Sequence, residues 1–262
     1  IFIEADDSRL RHCIIEYADS AGDHKDYYDN DCDANTPPLS RDYHEAVVAV
    51  ASHIDIENCL FRNLPDGGAS AEGDAIAVIS DDPDNPGEAS ANITNCRFIS
   101  IGQGVHTRFS YVLVENCYFT GHHGDNDDID LYGESAPPPL ILNNLLLNPG
   151  HDDMINPTRC SAVLIGNVVA GSDDHGIVLR DKCAPVLINN LIYDCSSAAI
   201  AVQNQCDALI VNNTIFDCGR GIRFFDHTGR WGPPYCLFPG SGKATIVNSI
   251  IRDCPTPLLL TD

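Results

Sequence analysis

Apolar and polar residues alternate in short segments that recur along most of the chain. Each segment reads apolar-x-apolar-x-Asn followed by a second apolar pair, as in residues 140–147 (LILNNLLL) and 186–192 (VLINNLI). A period of two residues, rich in Val, Ile and Leu, is typical of β-strands and does not match the 3.6-residue period of a helix. The pattern therefore predicts many short strands.

The spacing of the segments predicts how these strands are arranged. Asparagines in successive copies lie 23 residues apart from residue 144 to residue 213. Short strands at that interval can bury their apolar sides only by coiling and stacking on the neighbouring copies, as parallel strands. The aligned residues are His12, Asn58, Asn95, Asn116, Asn144, Asn167, Asn190, Asn213 and Ser249.

The repeat resembles that of the right-handed parallel β-helix superfamily, whose copies read G-I-x-V…V-x-I-x-N-N-x-I. The resemblance covers residues 45–253 and implies an all-β, right-handed parallel β-helix, or β-solenoid, of about nine coils of ~23 residues. We expect a single domain over residues 1–262, a segment of a longer or self-stacking protein, with insertions at 18–44 and 226–243. Pectate-lyase-like, polygalacturonase-like, adhesive and structural proteins share this repeat, so it implies a fold without selecting a function.

The repeated asparagines and cysteines are expected to stack from coil to coil. Asn tolerates the bent backbone of a corner, and its amide can donate to one neighbouring coil and accept from the other. Thiols stacked in this way are expected to be reduced and packed in the interior. Cys32 and Cys236 lie in the insertions and are the expected disulfide formers. The cysteine columns are Cys13, Cys59, Cys96 and Cys117, then Cys160, Cys183 and Cys206, then Cys195, Cys218 and Cys254.

The charge of the chain excludes two classes of partner. The formal net charge is −23, from 38 acidic and 15 basic residues. Nucleic acid and anionic lipid headgroups carry the same sign, so neither is an expected partner. No apolar run is long enough to span a bilayer, so membrane insertion is not expected. The 12 cysteines and the acidic composition indicate a secreted, extracellular or cell-surface protein.

Acidic residues are concentrated in three consecutive coils, at residues 121–133, 149–159 and 171–181. Stacked carboxylates repel one another, and we expect no basic residue to offset them, so a shared cation is one way to neutralise them. Calcium accepts about six to eight oxygen ligands and suits such a site. Its predicted ligands are Asp127, Asp128, Asp130, Asp152, Asp153, Asp173 and Asp174. We also expect Asp128 and Asp153 to face outward, nearly on top of one another.

Acid–base catalysis is the alternative interpretation of the same coils. Paired carboxylates at a suitable separation are what an inverting glycosidase needs. The region is also similar to pectinase-type β-helix hydrolases, whose successive coils supply Asp, Asp-Asp, Gly-His-Gly and Arg-x-Lys. That resemblance implies comparable catalytic roles for Asp153, Asp174, His175 and Arg180, although His175 lacks the preceding glycine.

One column of outward-pointing residues is a candidate glycan-binding strip. It consists of Tyr132, Arg180, Gln203 and Phe225. Aromatic rings stack on sugars, and guanidinium and amide groups form hydrogen bonds with them. The same strip could also be an exposed surface without a ligand.

Two functions remain open from the sequence. The first is an extracellular, calcium-stabilised solenoid with a structural, adhesive or glycan-binding role, whose partners are a polysaccharide or its own copies stacked end to end. The second is a polysaccharide-active enzyme, either an inverting glycoside hydrolase or a lyase, with the acidic coils as its active site.

Overall fold

The backbone winds through three parallel sheets, with one strand in each sheet per coil. The computed structural model describes residues 1–3, 7–16, 45–64, 75–80, 86–122, 127–147, 153–226 and 240–261. Within these ranges every regular element is a strand that pairs in parallel with the neighbouring coils. We name the ten-stranded sheet A and the two nine-stranded sheets B and C, in the order in which each coil enters them. The predicted right-handed parallel β-helix is confirmed.

Each sheet is an uninterrupted stack along the helix axis. Sheet A contains Phe2–Ile3, Val47–Val50, Ile76–Ile79, Val105–Arg108, Ile129–Tyr132, Ile155–Thr158, Ile177–Leu179, Ala198–Gln203, Arg220–Phe225 and Thr256–Leu260. Sheet B contains Ser8–Arg11, His53–Glu57, Ser90–Thr94, Tyr111–Glu115, Leu140–Leu142, Val163–Ile165, Val186–Ile188, Asp207–Val211 and Lys243–Val247. Sheet C contains Ile14–Glu16, Leu60–Arg62, Arg97–Ile99, Tyr118–Thr120, Leu145–Leu147, Val168–Ala170, Leu191–Tyr193, Thr214–Phe216 and Ile250–Arg252.

Sheet B consists of the strands that the repeat predicts, and from Leu140 to Leu209 they pair in the predicted register. Leu140, Val163, Val186 and Leu209 pair in succession through four coils. The predicted insertion at 18–44 lies outside the described residues, as does 227–239, which is most of the insertion predicted at 226–243. None of the described segments forms a helix with the length and apolar character needed to cross a lipid bilayer.

The predicted asparagine column is in fact two adjacent columns, so the alignment of Asn116 with Asn144 is wrong by one residue. The main-chain N–H of Cys117 donates to Asn144 Oδ1 at 2.9 Å, which places these two side by side. The outer column has a left-handed backbone, with φ between 50° and 69°, a conformation that favours Asn and Gly. It consists of His12, Asn58, Asn95, Asn116, Asn143, Gly166, Asn189, Asn212 and Asn248. The next residue in each coil points inward: Cys13, Cys59, Cys96, Cys117, Asn144, Asn167, Asn190, Asn213 and Ser249.

The four buried asparagines form the amide ladder that the sequence predicts. The Nδ2 of each of the first three donates to Oδ1 of the next asparagine, at 3.0 Å from Asn144 to Asn167 and at 2.9 Å in the two following steps. Each Nδ2 also donates to a main-chain carbonyl of the preceding coil, at 2.8–3.0 Å. The two tasks expected of one asparagine are therefore divided between neighbours: one shapes the corner and the other links the coils.

Apolar side chains fill the interior as stacks that run along the axis. The rings of Phe61, Phe98 and Phe119 are nearly parallel, with centroids 5.0 and 4.5 Å apart. The ten described cysteines are free, and all but the half-buried Cys13 are buried. This is the packing expected of reduced thiols, whereas Cys32 and Cys236 lie outside the described residues.

Candidate active site

The candidate site lies at the corner where two successive coils enter sheet A. Asp153 and His175 each stand two residues before a strand, and the pairing of Ile155 with Ile177 brings them side by side. The main-chain N–H of His175 donates to Asp153 Oδ1 at 3.2 Å, and the ring Nδ1 lies 3.0 Å from the same oxygen. Coil stacking therefore places an imidazole against a carboxylate that is 22 positions away in the chain.

The turn that presents His175 is held by a serine and a glycine. Ser172 Oγ donates to the His175 carbonyl oxygen at 2.8 Å and accepts from the Asp174 N–H at 3.2 Å. A Cβ at Gly176 would lie 2.8 Å from the Ala199 carbonyl oxygen, which excludes a side chain there. The glycine therefore lets the main chain directly after His175 pass close to the next coil, and the His175 ring stays near that coil.

Arg180 supplies a second positive group to Asp153. Its Nη2 donates to Asp153 Oδ2 at 2.9 Å, while His175 contacts Oδ1. The Asp153 side chain is fully buried, and a buried carboxylate is costly without a charged partner. The expectation that no basic residue offsets these acids is therefore wrong for Asp153, because the next coil provides both an imidazole and a guanidinium.

Asp174 contacts the same imidazole from the solvent side. Its Oδ1 lies 3.0 Å from His175 Nδ1, and its side chain is 45% exposed. Burial lowers the pKa of His175, but the hydrogen bonds and charges of Asp153 and Asp174 outweigh burial and raise that pKa to about 9. Burial raises the pKa of Asp174, yet the hydrogen bond and charge of His175 bring it below its usual value. At neutral pH the site therefore holds a protonated imidazole between two carboxylates.

The other ring nitrogen of His175 faces the following coils. Ser197 Oγ lies 3.3 Å from Nε2, and Arg220 Nη1 donates to the same hydroxyl at 3.5 Å. The Phe225 ring is nearly parallel to the imidazole at 6.5 Å, and the Arg223 guanidinium lies 3.8 Å from the centre of that ring. Two arginines therefore lie among the residues next to His175, in a protein whose net charge is −23.

The sequence interpretation missed Ser197 and Arg220, although the repeat contains a signal for them. Asp174, Ser197 and Arg220 are spaced 23 residues apart. The Ser197 N–H donates to the Asp174 carbonyl oxygen at 2.8 Å, and the Arg220 N–H donates to the Ser197 carbonyl oxygen at 2.6 Å. The three residues form one column at the corner, so extending the repeat from Asp174 would have found them.

The predicted glycan-binding strip is a single column in the structure. Strand pairing aligns Tyr132 with Thr158, Thr158 with Arg180, and Gln203 with Phe225. Tyr132 and Arg180 are partly accessible, whereas Gln203 and Phe225 are only 1% and 7% exposed. The column therefore has an accessible part around Tyr132 and Arg180 and a nearly buried part beyond it. Tyr132 OH accepts a hydrogen bond from Arg159 Nη1 at 3.2 Å.

Strand register corrects the predicted stacking of Asp128 on Asp153. Ile129 pairs with Ile155, so Asp127, and not Asp128, is the neighbour of Asp153. The coil that joins these two isoleucines is 26 residues long, three more than the regular repeat, which shifts the alignment. The prediction that Asp128 and Asp153 face outward is also wrong, because both residues are fully buried.

The remaining predicted calcium ligands have separate surroundings. Asp173 is exposed, and Asp152 lies outside the described residues. The other three acids face polar or basic side chains of their own. These pairs are Asp127 with Asn156 (2.7 Å), Asp128 with His122, and Asp130 with His106 (3.2 Å).

Asp153, Asp174 and His175 are a group that could hold a metal ion, since one donor atom from each lies within 4.8 Å of the others. Calcium prefers about six to eight oxygen ligands, whereas this group offers two carboxylates and an imidazole. Asp153 already accepts bonds from His175 and Arg180, and a protonated imidazole has no lone pair to offer. These residues are better arranged to hold a protonated imidazole than to coordinate calcium, and calcium binding stays a prediction.

Comparison with known proteins identifies the same fold. A family model described as "right handed beta helix region" matches residues 87–258. The crystal structure of a point mutant of the periplasmic alginate epimerase AlgG is similar, with a TM-score of 0.54 and 12% identity over 82% of this chain and 60% of that chain. The crystal structure of periplasmic alginate epimerase AlgG itself has a TM-score of 0.50 with the same identity and coverage. This chain thus spans 60% of the length of those proteins. No curated protein sequence matches it.

Proposed function

The chain belongs to the right-handed β-helix family, and we propose that it is a polysaccharide-modifying enzyme that uses His175 as its acid–base group. The observation that carries this proposal is the 3.0 Å contact between His175 Nδ1 and the fully buried Asp153 carboxylate. A carboxylate that holds one imidazole nitrogen orients the ring and stabilises its protonated form, as in other acid–base histidines. Asp153 is then a positioning residue, because its side chain is shielded from solvent.

Acidic polysaccharides are the proposed substrate class. In a chain of net charge −23, Arg180 contacts Asp153, Arg220 contacts Ser197, and Arg223 lies over the Phe225 ring near His175. A fourth arginine, Arg159, contacts Tyr132 on the same sheet. Guanidinium groups bind carboxylates through paired hydrogen bonds, so this face suits a chain of uronate sugars. The similarity to structures named as an alginate epimerase supports a polysaccharide substrate and an extracellular or periplasmic location. Tyr132 and Arg180 are the proposed contacts for the sugar chain, because both are partly accessible.

The separation of the carboxylates argues against the inverting-hydrolase interpretation. An inverting glycosidase needs about 6.5–9.5 Å between its two carboxyl groups, so that a water molecule fits between substrate and base. Donor oxygens of Asp153 and Asp174 lie within 4.8 Å of each other, and both contact one imidazole. The proposal therefore assigns proton transfer to the histidine and not to the carboxylate pair.

The proposal is tested by combining binding and reaction assays on one set of variants. The whole chain is incubated with alginate, polygalacturonate and a neutral xylan; binding is measured by affinity electrophoresis and chemical change by proton NMR. We expect acidic chains alone to bind and to be modified. His175→Gln should retain binding and lose modification by at least about 100-fold, the range assigned to general acid–base groups.

His53→Gln is the matched control, because His53 also contacts an aspartate, Asp55 at 3.3 Å, but lies on sheet B. This variant should behave like the unaltered protein. Equal activity of the His175→Gln and His53→Gln variants, or no binding of any acidic polysaccharide, would show that the proposed function is wrong.

A calcium-stabilised solenoid is the second candidate, favoured by the closeness of the Asp153, Asp174 and His175 donor atoms. A calcium ion bound only to the folded state would add about 2.7 kcal/mol at a hundredfold excess over Kd. Chelation with EDTA would then lower the melting temperature, and Asp153→Asn would abolish the response to calcium. A melting curve that EDTA leaves unchanged would remove this candidate. End-to-end stacking of copies also stays a prediction.

A further inference from the structure

Ser197 is positioned as the third member of a hydrogen-bonded series that begins at a buried carboxylate. Asp153 Oδ1 lies 3.0 Å from His175 Nδ1, and His175 Nε2 lies 3.3 Å from Ser197 Oγ. Asp153 is fully buried, His175 is 7% exposed, and Ser197 is partly accessible at the surface. A hydroxyl, an imidazole and a carboxylate in this order are the arrangement that activates a serine nucleophile.

From this geometry we propose that Ser197 is the nucleophile of an acyl-transfer reaction, and that the site removes ester-linked acyl groups from its polysaccharide. The polysaccharide part of this inference rests on the proposed function. The nucleophilic role of Ser197 does not, because it depends only on the contacts of three side chains. Carboxylic esters of sugar hydroxyls are the chemical class that such a nucleophile attacks.

The reaction balances with water as the only co-reactant. In its unprotonated form, His175 accepts the Ser197 hydroxyl proton at Nε2 while Ser197 Oγ bonds to the ester carbonyl carbon. The bond between that carbon and the sugar oxygen breaks, and the His175 proton passes to the departing sugar hydroxyl. Water then attacks the acyl-serine and gives one proton to His175, which returns it to Ser197 Oγ as the carboxylic acid leaves. Asp153 stays ionised and orients the ring throughout.

Two other side chains of the same corner have defined tasks in this step. Arg220 Nη1 lies 3.5 Å from Ser197 Oγ. A guanidinium at this position can stabilise the negative charge that develops on the carbonyl oxygen of the ester during attack. Asp174 also forms a hydrogen bond with Ser197, so it is a second acceptor that keeps the hydroxyl within reach of the imidazole.

The test is covalent labelling of the whole protein with a fluorophosphonate probe, which reacts with activated serines. Peptide mass spectrometry locates the adduct, and p-nitrophenyl acetate hydrolysis measures turnover without any polysaccharide. Both assays are run at neutral pH and at pH 9, where more of His175 is unprotonated, because its pKa is about 9. At pH 9 we expect a single major adduct on Ser197, formed faster than at neutral pH, and labelling at least tenfold slower in His175→Gln.

Ser196→Ala is the matched control for Ser197→Ala, because Ser196 is the exposed neighbour in the same turn. Ser196→Ala should label and hydrolyse like the unaltered protein, and Ser197→Ala should lose both by at least tenfold. Adduct mapping on the unaltered protein answers the question even if Ser197→Ala does not fold.

The results separate this inference from the proposed function. No adduct on Ser197, or undiminished labelling in His175→Gln, overturns the nucleophile. Polysaccharide modification that persists in Ser197→Ala also overturns it while leaving the role of His175 intact. A Ser197 adduct in a protein that binds no acidic polysaccharide overturns the proposed substrate class and leaves the nucleophile standing.

Discussion

Replacing Asn167 with alanine should be among the most destabilising single changes in the solenoid. Asn167 is fully buried in the middle of the amide ladder. Its Oδ1 accepts from the N–H and the Nδ2 of Asn144, both at 3.0 Å. Its Nδ2 donates to the Ile141 carbonyl at 2.8 Å and to Asn190 Oδ1 at 2.9 Å. Alanine removes all four bonds and leaves the Asn144 N–H buried without an acceptor.

The expected loss is about 4 kcal/mol, because each intramolecular hydrogen bond contributes about 1 kcal/mol net and an unsatisfied buried N–H adds to the cost. Urea unfolding followed by circular dichroism gives the free energy of unfolding by linear extrapolation. The matched control is Asn189→Gly, which removes an asparagine from the outer column one coil further on. Asn189 is exposed and has φ of 55°, which glycine adopts freely, so we expect a change below about 1 kcal/mol.

A double variant tests whether the ladder is a connected network. Asn167 and Asn190 share one hydrogen bond between their side chains, so the loss in Asn167→Ala/Asn190→Ala should be smaller than the two single losses combined. A loss in Asn167→Ala that is no larger than that of the control would refute the reasoning, since it would mean that the buried amides contribute no more than surface side chains.

Three further predictions concern protonation, thiols and packing. Because its pKa is raised, protonated His175 stabilises the fold fully below the usual pKa of 6.5, and this stability is lost as pH rises through about 9. The melting temperature should therefore fall between pH 6 and 9.5, and His175→Gln should remove the part of this fall that His175 causes. An unchanged pH dependence in the variant would contradict the assignment. Burial raises the pKa of Cys59 to about 11, so iodoacetamide at pH 8 should alkylate this thiol only after unfolding, and rapid native labelling would show that it is accessible. Phe98→Ala should cost about 3–5 kcal/mol in urea unfolding by breaking the aromatic stack, against less than about 1 kcal/mol for the exposed neighbour Arg97→Ala.

The sequence predicts the solenoid because the same short pattern of residues recurs in every coil. The alternation of apolar residues gives the strands, and the 23-residue interval gives the stacking from Asn144 to Asn213. These are properties of short segments, so no knowledge of distant contacts is needed to recognise them. The amide ladder is predictable for the same reason, since equal coil lengths bring equal positions together.

The candidate site could be predicted only in part. The family resemblance points to Asp153, Asp174, His175 and Arg180, and the structure brings all four together. Ser197 and Arg220 belong to the same corner, and their positions can be predicted from the 23-residue repeat. Their residue types alone do not indicate a functional site, because a serine and an arginine are common on protein surfaces. Their contacts with His175 and with each other are visible only once the coils are stacked.

What only the tertiary structure decided is the register across coils of unequal length. The coil from Ile129 to Ile155 has 26 residues, and the next, from Ile155 to Ile177, has 22. Corner loops absorb such differences without disturbing the strands, because backbone hydrogen bonds align strands and not sequence intervals. A shift of one residue moves a carboxylate from the outer face to the interior. The observed register aligns Asp127, and not Asp128, with Asp153, and it aligns Asp153 with His175, which no constant spacing in the sequence reveals.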